Sequence, residues 1–202
     1  RTSAICEALE RYSATFKGDE YSVTARFVDL GATAIHPNDC MLFSDTQYQQ
    51  REKWSALGSA FNVVPHRFNA AAKIEWAPVW SMISRAYKYL PSAYLFYGYP
   101  IGNAEAFCWA NSNGTAAGST LEEAILEGFF EVVERDCVAI WWYNRLQMPA
   151  VDLTTFQDSF VVKCAHFYRA HGRDVWALDL TNDFGIPTFA ALSRRIDQPL
   201  HE

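Results

Sequence analysis

Two five-residue phrases in this chain follow one pattern: Glu7-Ala8-Leu9-Glu10-Arg11 near the start and Glu131-Val132-Val133-Glu134-Arg135 two-thirds along. Residues three apart share a helix face, so each phrase sets two carboxylates side by side with a guanidinium next in line. Like charges so placed repel unless a cation neutralises them. Two such pairs brought together would form the kind of oxygen-rich nest that holds Mg²⁺ against nucleotide phosphates.

The second phrase belongs to a longer stripe. At about 100° per residue, Glu123, Glu127, Glu131 and Glu134 fall within an arc of roughly 80°. Ile125, Phe129, Phe130, Val132 and Val133 occupy the other side, which predicts an apolar back and an acidic front. An acidic front can be a solvated face, but such faces usually alternate sign to gain i,i+4 pairs of ~0.2–0.5 kcal/mol each. This stripe carries no lysine or arginine of its own, which favours a bound cation.

Ahead of the stripe runs Asn111-Ser112-Asn113-Gly114-Thr115-Ala116-Ala117-Gly118-Ser119, small at nearly every position. A helix start presents free N–H groups and partial positive charge, and glycines let an anion approach the backbone closely. The same segment also suits an ordinary tight turn into a helix. There is no Gly-x-x-x-x-Gly-Lys-Ser/Thr, so the P-loop arrangement is excluded on its motif. Arg11 and Arg135 are each suited either to a bidentate phosphate clamp or to a structural ion pair. Asp136 lies off the stripe and reads as structural.

These side chains need elements to hold them. The spacing predicts a short helix over Ser3 to Tyr12 with Thr2 or Ser3 as its cap, mixed order from Tyr21 to Thr33, and helical character from Gln47 to Gly58. Short strands are expected at Lys73–Trp76, Trp80–Ser84, Tyr87–Leu90 and Tyr94–Tyr97. The longest helix is predicted over Leu121 to Asn144, with Thr120 and Glu123 forming a capping box and Pro149 as the far limit. A further helix over Phe156 to His171, ended by Gly172, precedes strands at Val175–Leu180 and Pro187–Ser193. No regular βαβ series is present, so the fold class is α+β, with mixed or antiparallel sheets packed against helices.

With 202 residues, half of them hydrophobic and 15% aromatic, the chain can bury a core. A net charge of −6 without a basic cluster argues against nucleic acid as a partner. No apolar run nears the ~20 residues of a membrane span and no signal peptide opens the chain, which points to a cytoplasmic protein with no membrane partner. Cys6, Cys40, Cys108, Cys137 and Cys164 are scattered, without Cys-x-x-Cys spacing, so neither a disulfide framework nor a structural zinc site is indicated. The five histidines, His201 among them, form no ligand pair at helical spacing. Opening at Arg1 and stopping at Glu202 just after an expected strand, residues 1–202 are expected to be one partial domain of a longer protein.

Ala4 to Ser13 and Ser112 to Asp136 together resemble the YcaO family. The resemblance rests on Asn113-Gly114-x-Ala116-Ala117-Gly118-x-Thr120-x-Glu122-Glu123-Ala124, continued through Gly128 to Glu131-x-x-Glu134-Arg135-Asp136. Arg67-Phe68, Trp76-Ala77-Pro78-Val79-Trp80-Ser81, Tyr89-Leu90-Pro91 and Asp179-Leu180-Thr181-x-Asp183-x-Gly185-Ile186-Pro187 look like the branch that converts ribosomally made peptides to azolines. The resemblance implies ATP- and Mg²⁺-dependent cyclodehydration of Cys, Ser or Thr in a precursor peptide, through phosphorylation of the backbone amide oxygen. By motif position, Glu7, Glu10, Glu123, Glu131 and Glu134 would hold Mg²⁺, and Ser119, Glu123, Glu131, Glu134 and Arg135 would contact the nucleotide.

Ser119 stands where many members have asparagine, and Ala116 where others have serine, so contacts with the nucleotide there are expected to be fewer or water-mediated. The family's remaining C-terminal part is not in residues 1–202, which alone are expected to be inactive. A leader-peptide-binding partner protein or fused domain and a homodimer are also implied. Peptide thioamidation and a non-catalytic peptide-binding scaffold are the alternatives, and the motif does not separate the first from cyclisation.

Overall fold

A computed structural model describes residues 2–59, 62–102 and 106–197. His201, and the side chains of Thr2 and Ser3 expected to cap the first helix, lie outside what is described. The chain divides into two compact units, Arg1–Ala117 and Gly118–Glu202. Each holds a three-stranded sheet whose neighbouring strands are all antiparallel, flanked by helices, as the α+β expectation requires. Among the described residues no helix is long and apolar enough to cross a membrane.

The first unit opens with helix α1 (Thr2–Ser13), then β1 (Val23–Arg26) and four short helices, α2 (Phe27–Leu30), α3 (Pro37–Met41), α4 (Asp45–Gln49) and α5 (Arg51–Ser55). Strands β2 (Lys73–Ser81) and β3 (Ala86–Pro91) and the single helical turn α6 (Ser92–Leu95) follow. The sheet order is β1-β2-β3, with Val23 opposite Trp76 and Trp76 opposite Pro91. Trp76, fully buried, is the anchor: its indole N–H donates to the Ala25 carbonyl at 3.0 Å, and Phe27 and Phe68 pack on it at ring distances of 6.0 and 5.9 Å.

Two strand expectations need correction. Lys73–Trp76 and Trp80–Ser84 are not separate strands; β2 runs through Pro78 as far as Ser81. The ladder to β1 ends at Trp76, so Pro78 sits where β2 has a neighbour on one side only, a position at which a strand tolerates the missing N–H. Tyr94–Tyr97 does not form a strand either: Phe96 N–H closes a helical turn onto the Ser92 carbonyl at 3.0 Å. Burial, with the neighbouring Cys40 thiol, pushes the Tyr94 hydroxyl up to about 12. Tyr97 instead pairs with the chain leaving α1, through Phe16 N–H to the Tyr97 carbonyl and Tyr97 N–H to the Ala14 carbonyl, both at 2.8 Å. That pairing ties α1 into the unit.

The second unit consists of α7 (Leu121–Asn144), β4 (Ala150–Val151), α8 (Ser159–Ala170), β5 (Arg173–Asp179) and β6 (Phe189–Arg195), with sheet order β4-β5-β6. α7 spans the expected residues and ends where Arg145 turns left-handed at φ 53°. The predicted start of α8 at Phe156 moves to Ser159, because the Asp158 carboxylate caps the Phe160 N–H at 2.7 Å. Val133 and Cys137 of α7 meet Leu180 in a buried cluster surrounded by Trp141, Met148, Leu178 and Ile186. The expected apolar back is therefore buried only in part. Ile125, Phe129, Phe130 and Val132 stay 42–49% exposed, because only the later turns of α7 lie over this core.

The junction into α7 is tight. A β-carbon on Gly118 would stand 2.6 Å from the Ala124 nitrogen and 2.9 Å from Glu123 Cβ, closer than packed atoms approach. Gly118→Ala must therefore displace the loop and is expected to lower stability by more than Thr120→Ala, which removes a cap worth about 1 kcal/mol; denaturant titration of the two variants checks the order. Thiol labelling gives a second test. Burial pushes Cys108 up to about 12 and Cys137 is also buried, whereas Cys6 and Cys40 are exposed and Cys40 is raised by partial burial and by Asp39. At pH 8 iodoacetamide should modify Cys6 first and Cys40 more slowly, leaving Cys108 and Cys137 until denaturant is added, as read by mass spectrometry.

Candidate functional site

Thr120 is extended (φ −131°, ψ 164°) and its hydroxyl accepts the Glu123 N–H at 3.2 Å, which forms one arm of the expected capping box. The other arm is different: Glu123 Oε2 accepts from the Ser119 N–H at 2.6 Å, not from Thr120. The close passage of Gly118 over Glu123 and Ala124 brings the Ser119 amide above this carboxylate. Two of the candidate residues, Ser119 and Glu123, are thus joined directly, and one Glu123 oxygen is committed to the backbone.

Eight residues on, about 12 Å along the axis at 1.5 Å per residue, Glu131 and Glu134 form a pair bridged by Arg135. The guanidinium reaches back to Glu131 Oε1 at 3.2 Å and also pairs closely with Glu134 Oε1. The acidic pair therefore finds a cation in its own helix, at i+4 from Glu131, which is the ion pair that the sequence left open for Arg135 beside a phosphate clamp. The neutralisation is incomplete: two carboxylates face one guanidinium. Glu131 is the more sheltered, its side chain 22% exposed against 53% for Glu134.

The next residue fixes the rotation of this segment. Asp136 Oδ2 accepts from the Asn182 amide at 3.0 Å. Asn182 sits in the loop between β5 and β6, where Thr181 N–H donates to Asp179 Oδ1 at 2.9 Å and Leu180 N–H to the Thr188 carbonyl at 2.8 Å. The Thr181 side chain first, and then the Thr181 N–H, hold the Asp179 carboxyl below the usual range. Asn182 was invisible as a site-positioning residue in the sequence; the polar turn Thr181-Asn182-Asp183 was its only signal.

In the first unit, Glu7 and Arg11 form an exposed i,i+4 pair at 3.5 Å, worth a few tenths of a kcal/mol. Glu10 is half-buried on the same helix. The five candidate metal ligands are thus distributed over both units, Glu7 and Glu10 in the first and Glu123, Glu131 and Glu134 in the second. Within neither unit do three His, Cys, Asp or Glu side chains among the described residues form a group suited to a metal ion. Each of the five is a carboxylate, the donor type that a hard cation takes, and the Glu131–Glu134 pair has an unmet negative charge.

The YcaO family model, described as an ATP- and Mg²⁺-binding cyclodehydratase, matches residues 1–201. A heterocyclase solved in complex with substrate and cofactor is similar at 51% identity and a TM-score of 0.91, over 97% of this chain and 26% of that one. The heterocyclase TruD is similar at 47% identity and a TM-score of 0.86, over 98% and 29%. An uncharacterised protein of Methanothermobacter thermautotrophicus is 28% identical over 194 residues, 96% of this chain and 44% of its own length. The chain thus spans less than half the length of each of these relatives. From end to end of its matched residues, it belongs to the YcaO cyclodehydratase family, whose members bind ATP and Mg²⁺.

Proposed function

We propose that this chain forms part of an enzyme that uses ATP and Mg²⁺ to cyclise Cys, Ser or Thr residues of a ribosomally made precursor peptide to azolines. The observation that carries this reading is the Glu131–Glu134 pair with Arg135, at the end of an acidic helix face that begins beneath a loop of small residues. The 51% identity to a heterocyclase with substrate and cofactor supports the same reaction class.

In this reading Glu7, Glu10, Glu123, Glu131 and Glu134 would supply carboxylates to Mg²⁺ at more than one position, since Glu123 and Glu131 are about 12 Å apart along α7, and the metal when bound would supply charge neutralisation and orientation for the phosphates of ATP. Arg135 has more donors than its two carboxylates use and turns the remainder to a phosphate oxygen. Ser119 keeps the loop over the first turn of α7 by donating its N–H to Glu123, which leaves the other Glu123 oxygen for the metal. In the reaction, the Cys, Ser or Thr side chain attacks the preceding backbone carbonyl and the amide oxygen takes the terminal phosphoryl group of ATP. ADP is released, the side chain having lost its own proton on attack; that oxygen then departs as inorganic phosphate while the amide nitrogen gives up its proton to form the C=N bond, so the peptide loses the atoms of one water. A leader-peptide-binding partner or fused domain, a homodimer and a cytoplasmic location belong to the same proposal.

The full-length protein incubated with ATP, Mg²⁺, its precursor peptide and that partner should yield a peptide lighter by one water per ring. Replacement of oxygen by sulfur in the presence of sulfide would mean thioamidation instead, and an unchanged peptide without ATP turnover would mean a scaffold. Glu131→Gln should cut ATP turnover by at least ~10²-fold, because it withdraws a charged ligand. Its melting temperature should hardly move, because the lost Arg135 pair is worth only ~0.3–0.5 kcal/mol. Unfolding of that variant would show that Glu131 serves the fold and not the nucleotide.

A further inference from the structure

The first unit contains a cavity of about 640 Å³, within the range of specific ligand sites at roughly 300–1,000 Å³. No residue of α1 lines it, so it is separate from Glu7 and Glu10. Its apolar wall is Phe68, Ile74 and Phe107, with the Phe68 and Phe107 rings 5.1 Å apart. Its polar side is Lys73 and Glu75 of β2, with Thr24 of β1 directly opposite Glu75.

Charge in and around the cavity is unevenly matched. Arg26, paired in register with Lys73, is held by both oxygens of Asp29 at 2.8 and 2.7 Å. Arg67, also in the wall, is paired with Asp45 at 2.7 Å and lies over the Tyr48 ring. Burial first, and then the nearby Glu75 carboxylate, push the Tyr99 hydroxyl up to about 12. Lys73 is exposed and makes no direct ion pair among the described residues; its charge acts on the Asp29 carboxyl, both of whose oxygens Arg26 already holds. The cavity also reaches β1, the edge strand, whose outer side pairs with no strand among the described residues. An apolar hollow beside a free strand edge is how a sheet takes up an extended peptide, main chain along the edge and one side chain in the hollow.

We propose that this cavity is a docking subsite for an extended acidic peptide, with an aromatic or branched apolar side chain against Phe68, Ile74 and Phe107 and a neighbouring carboxylate on Lys73. The assignment rests on the reading of the protein as a peptide-modifying enzyme and adds to it a place and a chemistry for substrate capture apart from the carboxylates of α7.

Fluorescence anisotropy of the full-length protein tests it, using a fluorescein-labelled synthetic peptide that alternates glutamate with leucine and phenylalanine, and the same peptide with lysine for glutamate. The acidic peptide should bind at least about tenfold more tightly, and Lys73→Glu should erase or reverse that preference, as expected for one charge-assisted contact. Since Lys73 is exposed, this variant should fold and keep its ATP affinity. Equal binding of the two peptides, or a preference that survives Lys73→Glu, overturns the proposal. So does N-acetylphenylalanine binding as tightly as the peptide, since the strand edge would then contribute nothing. If peptide binding depends on Lys73 but ATP is neither bound nor hydrolysed, the enzymatic reading fails and the subsite stands; the converse pattern removes the subsite alone.

Discussion

Glu131 and Glu134 stand one turn apart on α7 with a single guanidinium between them. That imbalance is the constraint around which the second unit is arranged. A helix can hold two neighbouring carboxylates cheaply only in water or beside a cation, so both keep some exposure, 22% and 53% of the side chain, and burial falls to other positions of the helix. Val133, between the two glutamates in sequence, and Cys137 supply that burial against Leu180. Asn182 then fixes Asp136, the next residue beyond Arg135. The charge pattern sets what the helix must present; the core and one loop bond set its angle of presentation.

The start of α7 solves a different problem. The first N–H groups of a helix need partners, and here the Thr120 hydroxyl supplies one while the loop before it folds back over the first turn. Only glycine fits at 118, because the Ala124 nitrogen occupies the space a β-carbon would need. Glu123 is thereby drawn into the loop as the acceptor of the Ser119 N–H. One carboxylate can serve both loop and ligand, since it offers several lone-pair directions and the backbone amide uses one.

The first unit is organised around aromatic burial rather than charge. Trp76, Phe27, Phe68 and Phe107 pack in sequence, with ring distances of 5.1 to 6.0 Å along that chain, and the cavity opens where Phe68 and Phe107 are left with a free side. The same packing that stabilises the sheet therefore creates its apolar hollow, and the strand edge beside it ends in polar Thr24 and Arg26.

Several features were legible in the order of residues alone. The span of α7, the Thr120 cap, the spacing of Glu131, Glu134 and Arg135, and the positions of β5 and β6 all depend on interactions within four residues or on simple alternation, which a linear pattern records directly. The family resemblance was legible for the same reason, because its motifs are contiguous. Other features depend on residues far apart in the chain. Pro78 continues a strand because β1 stops at Trp76; Tyr94 joins a turn because Tyr97 pairs with Thr15; Glu123 leaves its capping partner because Gly118 closes over it; Ile125 and Phe129 remain exposed because the core lies farther along α7. Spacing along the sequence determined which groups could act, and tertiary packing decided which of them meet, because only distant segments can supply or withhold the partner that a polar or apolar surface needs.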